Sequence, residues 1–120
     1  MKQKEKKANK KKTEAKKGLM THSDWLKLLQ VVFNKFIRLR DQDKPCISCN
    51  KPLIDKYDAG HFFSVGGYPN LRFNENNVFG QCVYCNRHRR GNINEYRIML
   101  PERIGIDVFI ELEQNRSEPL

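Results

Sequence analysis

The chain lacks any apolar run long enough for a signal peptide, or for a membrane-spanning helix of roughly 20 apolar residues. It is therefore expected to work without a membrane, in the cytoplasm, where thiols stay reduced. It also lacks internal repeats beyond two Cys-x-x-Cys pairs, and apolar residues make up only 38% of its 120 residues. A chain this short and this polar is expected to form one domain with a modest core. Such domains often need a staple, either disulfides or a metal.

Excess charge is missing from most of the chain as well. The formal net charge is +9, but residues 1–17 carry nine lysines against Glu5 and Glu14, a net of +7. The remainder carries fourteen Lys and Arg against twelve Asp and Glu, a net of +2. Residues 1–18 thus read as a disordered basic tail, since a lysine block repels itself and has nothing apolar to bury. Such a tail attracts phosphate backbones without reading sequence. Residues 19–120 form the domain proper.

Within that domain, Thr21-His22-Ser23-Asp24 reads as a helix start, with Thr21 or Ser23 as cap and Asp24 at the positive end of the helix dipole. Trp25, Leu28, Leu29, Val32, Phe36 and Leu39 recur at a helical period. A helix over 24–40 is expected, with this broad apolar face buried against the domain. Tyr57 to Ser64 reads as a strand carrying His61, and Asn77 to Gln81 as its hairpin partner. Cys85 to Arg90 should open a helix ended by Gly91. A second helix over 93–100 is expected to stop at Pro101, and residues 106–114 are read as a last helix.

Cys46, Cys49, Cys82 and Cys85 form two pairs separated by 32 residues. Four thiolates make a closed tetrahedral set suited to structural Zn²⁺, with no open position for substrate. The reducing compartment disfavours disulfides, and no thioredoxin-like pattern surrounds either pair. Zinc binding is then coupled to folding, so chelation should loosen the core. The long gap encloses His61 and Asn77, and Asn86 directly follows the last cysteine. A neutral imidazole can take a proton from water near pH 7. An amide oxygen can ligate Mg²⁺, which also binds substrate phosphate. A base opposite a metal-bound phosphate is the minimum apparatus for phosphodiester hydrolysis.

The motifs are the Trp25-Leu26 helix, Pro45-Cys46-Ile47-Ser48-Cys49, Ala59-Gly60-His61, Leu71-Arg72-Phe73-Asn74-Glu75 with Asn77, Gly80-Gln81-Cys82, and Cys85-Asn86-Arg87-His88. Together, over roughly residues 20–105, they resemble the HNH (ββα-metal) nucleases and, more closely, the NinG (Rap) family of phage recombination proteins. The resemblance implies an α+β fold. Its core would be a small zinc-stapled, treble-clef-like ββα-metal unit, with a long N-terminal helix and C-terminal helices. It also implies a Mg²⁺- or Mn²⁺-dependent endonuclease acting on branched recombination intermediates such as Holliday junctions and D-loops, in the host cytoplasm or nucleoid.

By the HNH pattern, His61 corresponds to the general base, Asn77 to the middle asparagine that braces the loop, and Asn86 to the final position. In the phage resolvase endonuclease VII, an asparagine directly after the last zinc cysteine is likewise a catalytic metal ligand. Many HNH enzymes carry an acidic ligand immediately before the histidine, where this chain has Gly60. Asp58, if the strand bulges, and His88 are the alternative candidate ligands. Arg72, Arg87, Arg89 and Arg90, with Lys35 and Arg38 on the first helix, are candidate DNA-backbone contacts. A homodimer joined through residues 106–112 would suit two-strand cleavage. The rival expectation is a non-catalytic zinc-finger module that binds DNA or protein.

Overall fold

Thr21 decides where the first helix begins. In the computed structural model, which describes residues 19–117, α1 spans His22–Arg40. The Thr21 hydroxyl accepts from the Asp24 N–H at 3.2 Å, and the Asp24 carboxylate accepts from the Thr21 N–H at 3.1 Å. This reciprocal cap satisfies donors that the first turn leaves unpaired. The helix therefore starts two residues earlier than the expected 24, with Ser23 inside it. The expected disordered tail, residues 1–18, lies outside the described residues. Contacts divide the chain into units of residues 1–31 and 32–120, with the division inside α1. The hairpin, the cysteines and the candidate site all belong to the second.

The apolar face of α1 is not buried as expected. Ile37 is fully buried and Phe33 meets the edge of Phe73 at 5.6 Å, but Trp25, Leu28, Leu29, Val32, Phe36 and Leu39 are 45–58% exposed. The reason lies in what fills the core. Phe62 packs against Phe63, Tyr96 and Phe109 at centroid separations of 4.7, 5.2 and 5.9 Å, and Leu100 and Leu112 close the cluster. No α1 residue belongs to it.

A two-stranded antiparallel sheet pairs β1 (Tyr57–His61) with β2 (Val78–Cys82), from Tyr57 opposite Cys82 to His61 opposite Val78. β1 stops at His61, short of the expected Ser64, because Asn77 takes over the backbone of the next two residues. The Phe62 N–H donates to the Asn77 carbonyl, and the Phe63 N–H to its side-chain oxygen, both at 2.8 Å. A short 3-10 turn, Pro69–Leu71, lies in the connecting loop. Tyr84–His88 forms a single π-helical turn, followed by α2 (Ile93–Ile104) and α3 (Ile106–Asn115).

Pro101 does not end α2 but sits within it. Proline removes one donor, yet the helix is held by Tyr96 and Leu100, both fully buried. It ends instead at Gly105, whose φ of 91° few other residues adopt and whose N–H caps the Pro101 carbonyl at 2.8 Å. The Tyr96 hydroxyl donates to the Gly60 carbonyl at 2.7 Å, which pins α2 to β1. At the other side of the hairpin, buried Asp41 accepts from the Gly80 N–H at 2.8 Å and pairs with Arg40 at 2.7 Å. The result is a small α+β fold. Among the described residues, no helix is long and apolar enough to cross a membrane.

Candidate functional site

The four cysteines are gathered by two tight loops. A bridge between Pro45 and Pro52 closes the first. Inside it the Cys46 N–H donates to Lys51 at 2.8 Å, and the Asn50 N–H to Cys46 at 2.9 Å. Asn50 takes the left-handed conformation (φ 63°) that this turn needs. Cys82 ends β2 and Cys85 lies in the π turn, so the second pair is presented by the strand-to-helix junction. All four Sγ atoms fall within 4.8 Å of one another, and Cys49 and Cys82 are 3.8 Å apart. A tetrahedral ion with Zn–S bonds of about 2.3 Å needs sulfurs about 3.8 Å apart. The cluster could hold a metal such as zinc, and the donor set fits it. Burial pushes the Cys85 thiol up to about 12, so a bound cation is what would hold four thiolates together at neutral pH.

His61 closes β1 with its ring Nε2 3.0 Å from the Arg72 carbonyl oxygen. A carbonyl only accepts, which assigns the proton to Nε2 and leaves the Nδ1 lone pair as the basic atom. Burial holds the imidazole below its ordinary pKa of 6.5; the bond to Arg72 opposes that shift and the Arg72 charge adds to it. His61 is accordingly neutral at pH 7. Asn77, fully buried, fixes the loop beyond it. Its amide NH₂ donates to the carbonyls of Phe63 (3.0 Å) and Leu71 (3.1 Å), so together with the Phe63 N–H bond all its main capacity goes into backbone.

Asn86 follows Cys85 in the π turn and shares an open cavity of about 590 Å³ with His61. Its Nδ2 donates to Asp58 at 2.9 Å, which leaves the amide oxygen as the ligand atom. Asp58 reaches Asn86 but not the His61 cavity: β1 pairs with β2 without the bulge that would turn it there, and Asp58 is not among that cavity's lining. The same carboxylate takes a two-pronged bond from Arg87, both arms 2.9 Å. Burial would raise the Asp58 pKa, but the bonds from Arg87 and Asn86 outweigh it and hold the group below 3.8. Asn86 and Asp58 carry hard oxygen donors of the kind Mg²⁺ or Mn²⁺ takes, but the carboxylate is already engaged by Arg87 and by the Asn86 amide N–H.

Sequence comparison supplies the context. The profile described as "Bacteriophage Lambda NinG protein" matches residues 1–119. The chain belongs to the NinG family. It is 46% identical over 102 residues to Protein ninG of Salmonella phage P22, covering 85% of this chain and 50% of the relative. It is 45% identical to Protein ninG of Escherichia phage lambda and 44% to that of Escherichia phage 933W, each over the same share of this chain and 50% and 51% of the relative. The chain thus spans about half the length of these curated NinG relatives. No solved structure matches it.

The remaining candidates of this NinG-family chain are dispersed. Arg90 lines the His61 cavity, whereas Lys35 and Arg38 line a separate cleft of about 330 Å³ beside Tyr57. Arg72 stacks over Phe73 at 5.4 Å, and Arg89 is exposed at the end of the π turn. His88 is exposed, its ring 6.2 Å from Tyr84, and does not line the cavity. Of the apolar residues in 106–112, Phe109 and Leu112 are in the core, leaving Ile106 and Ile110 exposed. Gly60 is buried, and a Cβ there would lie 2.0 Å from the Gln81 side-chain oxygen, so an acid at position 60 would have to displace the buried Gln81 side chain. Gln81 is itself buried, donating to Ser48 (2.8 Å) and the Gly91 carbonyl (2.6 Å), and so ties the hairpin to both cysteine loops. Neither this link nor Arg97, which also lines the cavity, has a local sequence signal; both depend on residues far apart meeting in space.

Proposed function

We propose that the chain is an HNH-type, structure-specific DNA endonuclease, built on a treble-clef-like ββα-metal core, that cuts branched recombination intermediates. The observation that carries this reading is His61: neutral, held at Nε2 by a carbonyl, and opening from the end of β1 onto a cavity shared with Asn86. His61 Nδ1 takes a proton from water. The resulting hydroxide attacks phosphorus in line, the bond from phosphorus to the 3′ oxygen breaks, and the departing oxygen takes a proton from solvent, leaving 5′-phosphate and 3′-hydroxyl ends. Asn86, with Asp58, would hold Mg²⁺ or Mn²⁺, which supplies charge neutralisation for the phosphate and the departing oxygen. Asn77 keeps the loop after His61 in place, and the four cysteines and their Zn²⁺ hold Asn86 at the turn without taking part in the chemistry.

The branched substrate rests on the NinG resemblance, as does the host cytoplasm or nucleoid, while a dimer rests only on the need to cut two strands. Guanidinium groups around the site suit backbone contacts, which position DNA without reading its bases. A second reading, a non-catalytic DNA- or protein-binding module, is favoured by one observation: the Asp58 carboxylate is occupied by Arg87.

The test is a labelled four-way junction incubated with Mg²⁺ and the parent or His61→Ala. The nuclease reading expects the parent to cut and the variant to lose at least about 100-fold in rate while still binding, within the usual range for a positioned base. Equal cutting by both removes His61 from the chemistry, and binding without cutting by either supports the module.

A further inference from the structure

We infer that Arg97 is the group that takes the non-bridging oxygens of the scissile phosphate in the His61 cavity, which rests on the nuclease reading above. Nothing in the local sequence marks Arg97, yet the fold brings it to the cavity that His61 lines. Its neighbour Tyr96 is fully buried and bonds from its hydroxyl to the Gly60 carbonyl, so α2 is fixed to β1 one residue before His61. Arg97 then lines the same cavity as His61 and Asn86. Its guanidinium carbon lies 4.9 Å above the ring of Phe62, the residue directly after His61.

That stacking holds the planar group by its face and leaves the forked N–H donors at its edge to bind an anion. Among the described residues the acid paired with it is Glu113, 4.0 Å away with the Arg97 side chain 50% exposed, a loose pair that an incoming phosphate can replace. Other arginines around the hairpin are committed elsewhere. Arg87 grips Asp58 with both arms, Arg40 is bonded to Asp41, and Arg103 bonds the Pro45 carbonyl and stacks on Phe79. Arg90 reaches the cavity without an aromatic platform.

Attack by hydroxide builds negative charge on the two non-bridging oxygens, and a fork of charged donors already in place stabilises that charge more than it stabilises the ground state. Loss of Arg97 should therefore appear in kcat rather than in junction affinity.

The experiment uses the full chain, Mg²⁺ and a labelled four-way junction, comparing the parent with Arg97→Ala and Arg97→Lys. Thermal melts check that each variant is folded. Arg97→Ala should lose about 100-fold in kcat, the scale seen for removing one preorganised donor, with KM within about 3-fold. Added guanidinium chloride, below denaturing concentration, should restore part of the rate to Arg97→Ala and none to the parent. Arg97→Lys keeps a stem over Phe62 and a charge but loses the fork, and should fall between the two. Should Arg97→Ala cut within about 3-fold of a cutting parent, or lose rate only through KM, Arg97 has no role at the phosphate and the nuclease reading survives. A parent that binds the junction and never cuts it overturns both.

Discussion

His61 donates from Nε2 to the Arg72 carbonyl, so any proton it takes from water must arrive at Nδ1. Its folded-state pKa lies below 6.5, chiefly through burial, with the Arg72 charge adding to the shift and the bond to the Arg72 carbonyl opposing it. Cleavage should thus be level through pH 7–8 and fall about tenfold per unit on the acid side, with a midpoint below 6.5. A midpoint above 6.5 would show that His61 is not the titrating base. Gly60 makes a second test at this scale. Gly60→Asp restores the acid that many HNH enzymes carry, but it drives a side chain into Gln81 and buries a charge. It should cost about 3 kcal/mol or more in urea unfolding and should not raise the cleavage rate. A stable, faster variant would mean that the backbone can turn position 60 towards the metal. The cysteine cluster was legible because its four members are marked by type and spacing, and the meeting of His61 and Asn86 at one cavity followed from the hairpin and the cysteine loops that carry them. The fit around Gly60 was not legible, since it depends on the side chain of a partner strand 21 residues away.

At the scale of elements, the hairpin and the other helices are where periodicity and turn residues put them, apart from their ends, but the helix expected from Cys85 to Arg90 is a single π-helical turn over Tyr84–His88. Those ends were set by single contacts: the Thr21–Asp24 cap, the Asn77 side chain closing β1, and Gly105 rather than Pro101 closing α2. The larger surprise is α1. Its 3.6-residue period correctly announced a helix, but periodicity shows only that one face is apolar, not that this chain covers it. What joins α1 to the hairpin is instead polar: Arg40 bonds the carbonyls of Glu75 and Val78, stacks 4.4 Å from Phe79, and pairs with Asp41, which holds the Gly80 N–H. Asp41→Ala leaves that N–H unpaired and strips a partly buried guanidinium of its counter-charge. It should lower the unfolding free energy by about 2–4 kcal/mol, measured from the urea midpoint. A loss under about 0.5 kcal/mol would assign α1 docking to its apolar contacts instead.

For the molecule as a whole, two sets of donors with different chemistry lie on the two sides of one strand-to-helix junction. Cys85 belongs to the four-sulfur cluster, and the next residue, Asn86, lines an open cavity together with His61. Soft thiolates select zinc and hard oxygens select Mg²⁺ or Mn²⁺, so the two should fill independently. The most direct test is anomalous diffraction, at the zinc and manganese edges, from crystals grown with zinc and soaked in Mn²⁺. The nuclease reading predicts a zinc peak among Cys46, Cys49, Cys82 and Cys85 and a separate manganese peak beside Asn86 in the His61 cavity. Zinc at the cysteines with no manganese in that cavity would contradict it and leave a zinc-stapled binding module.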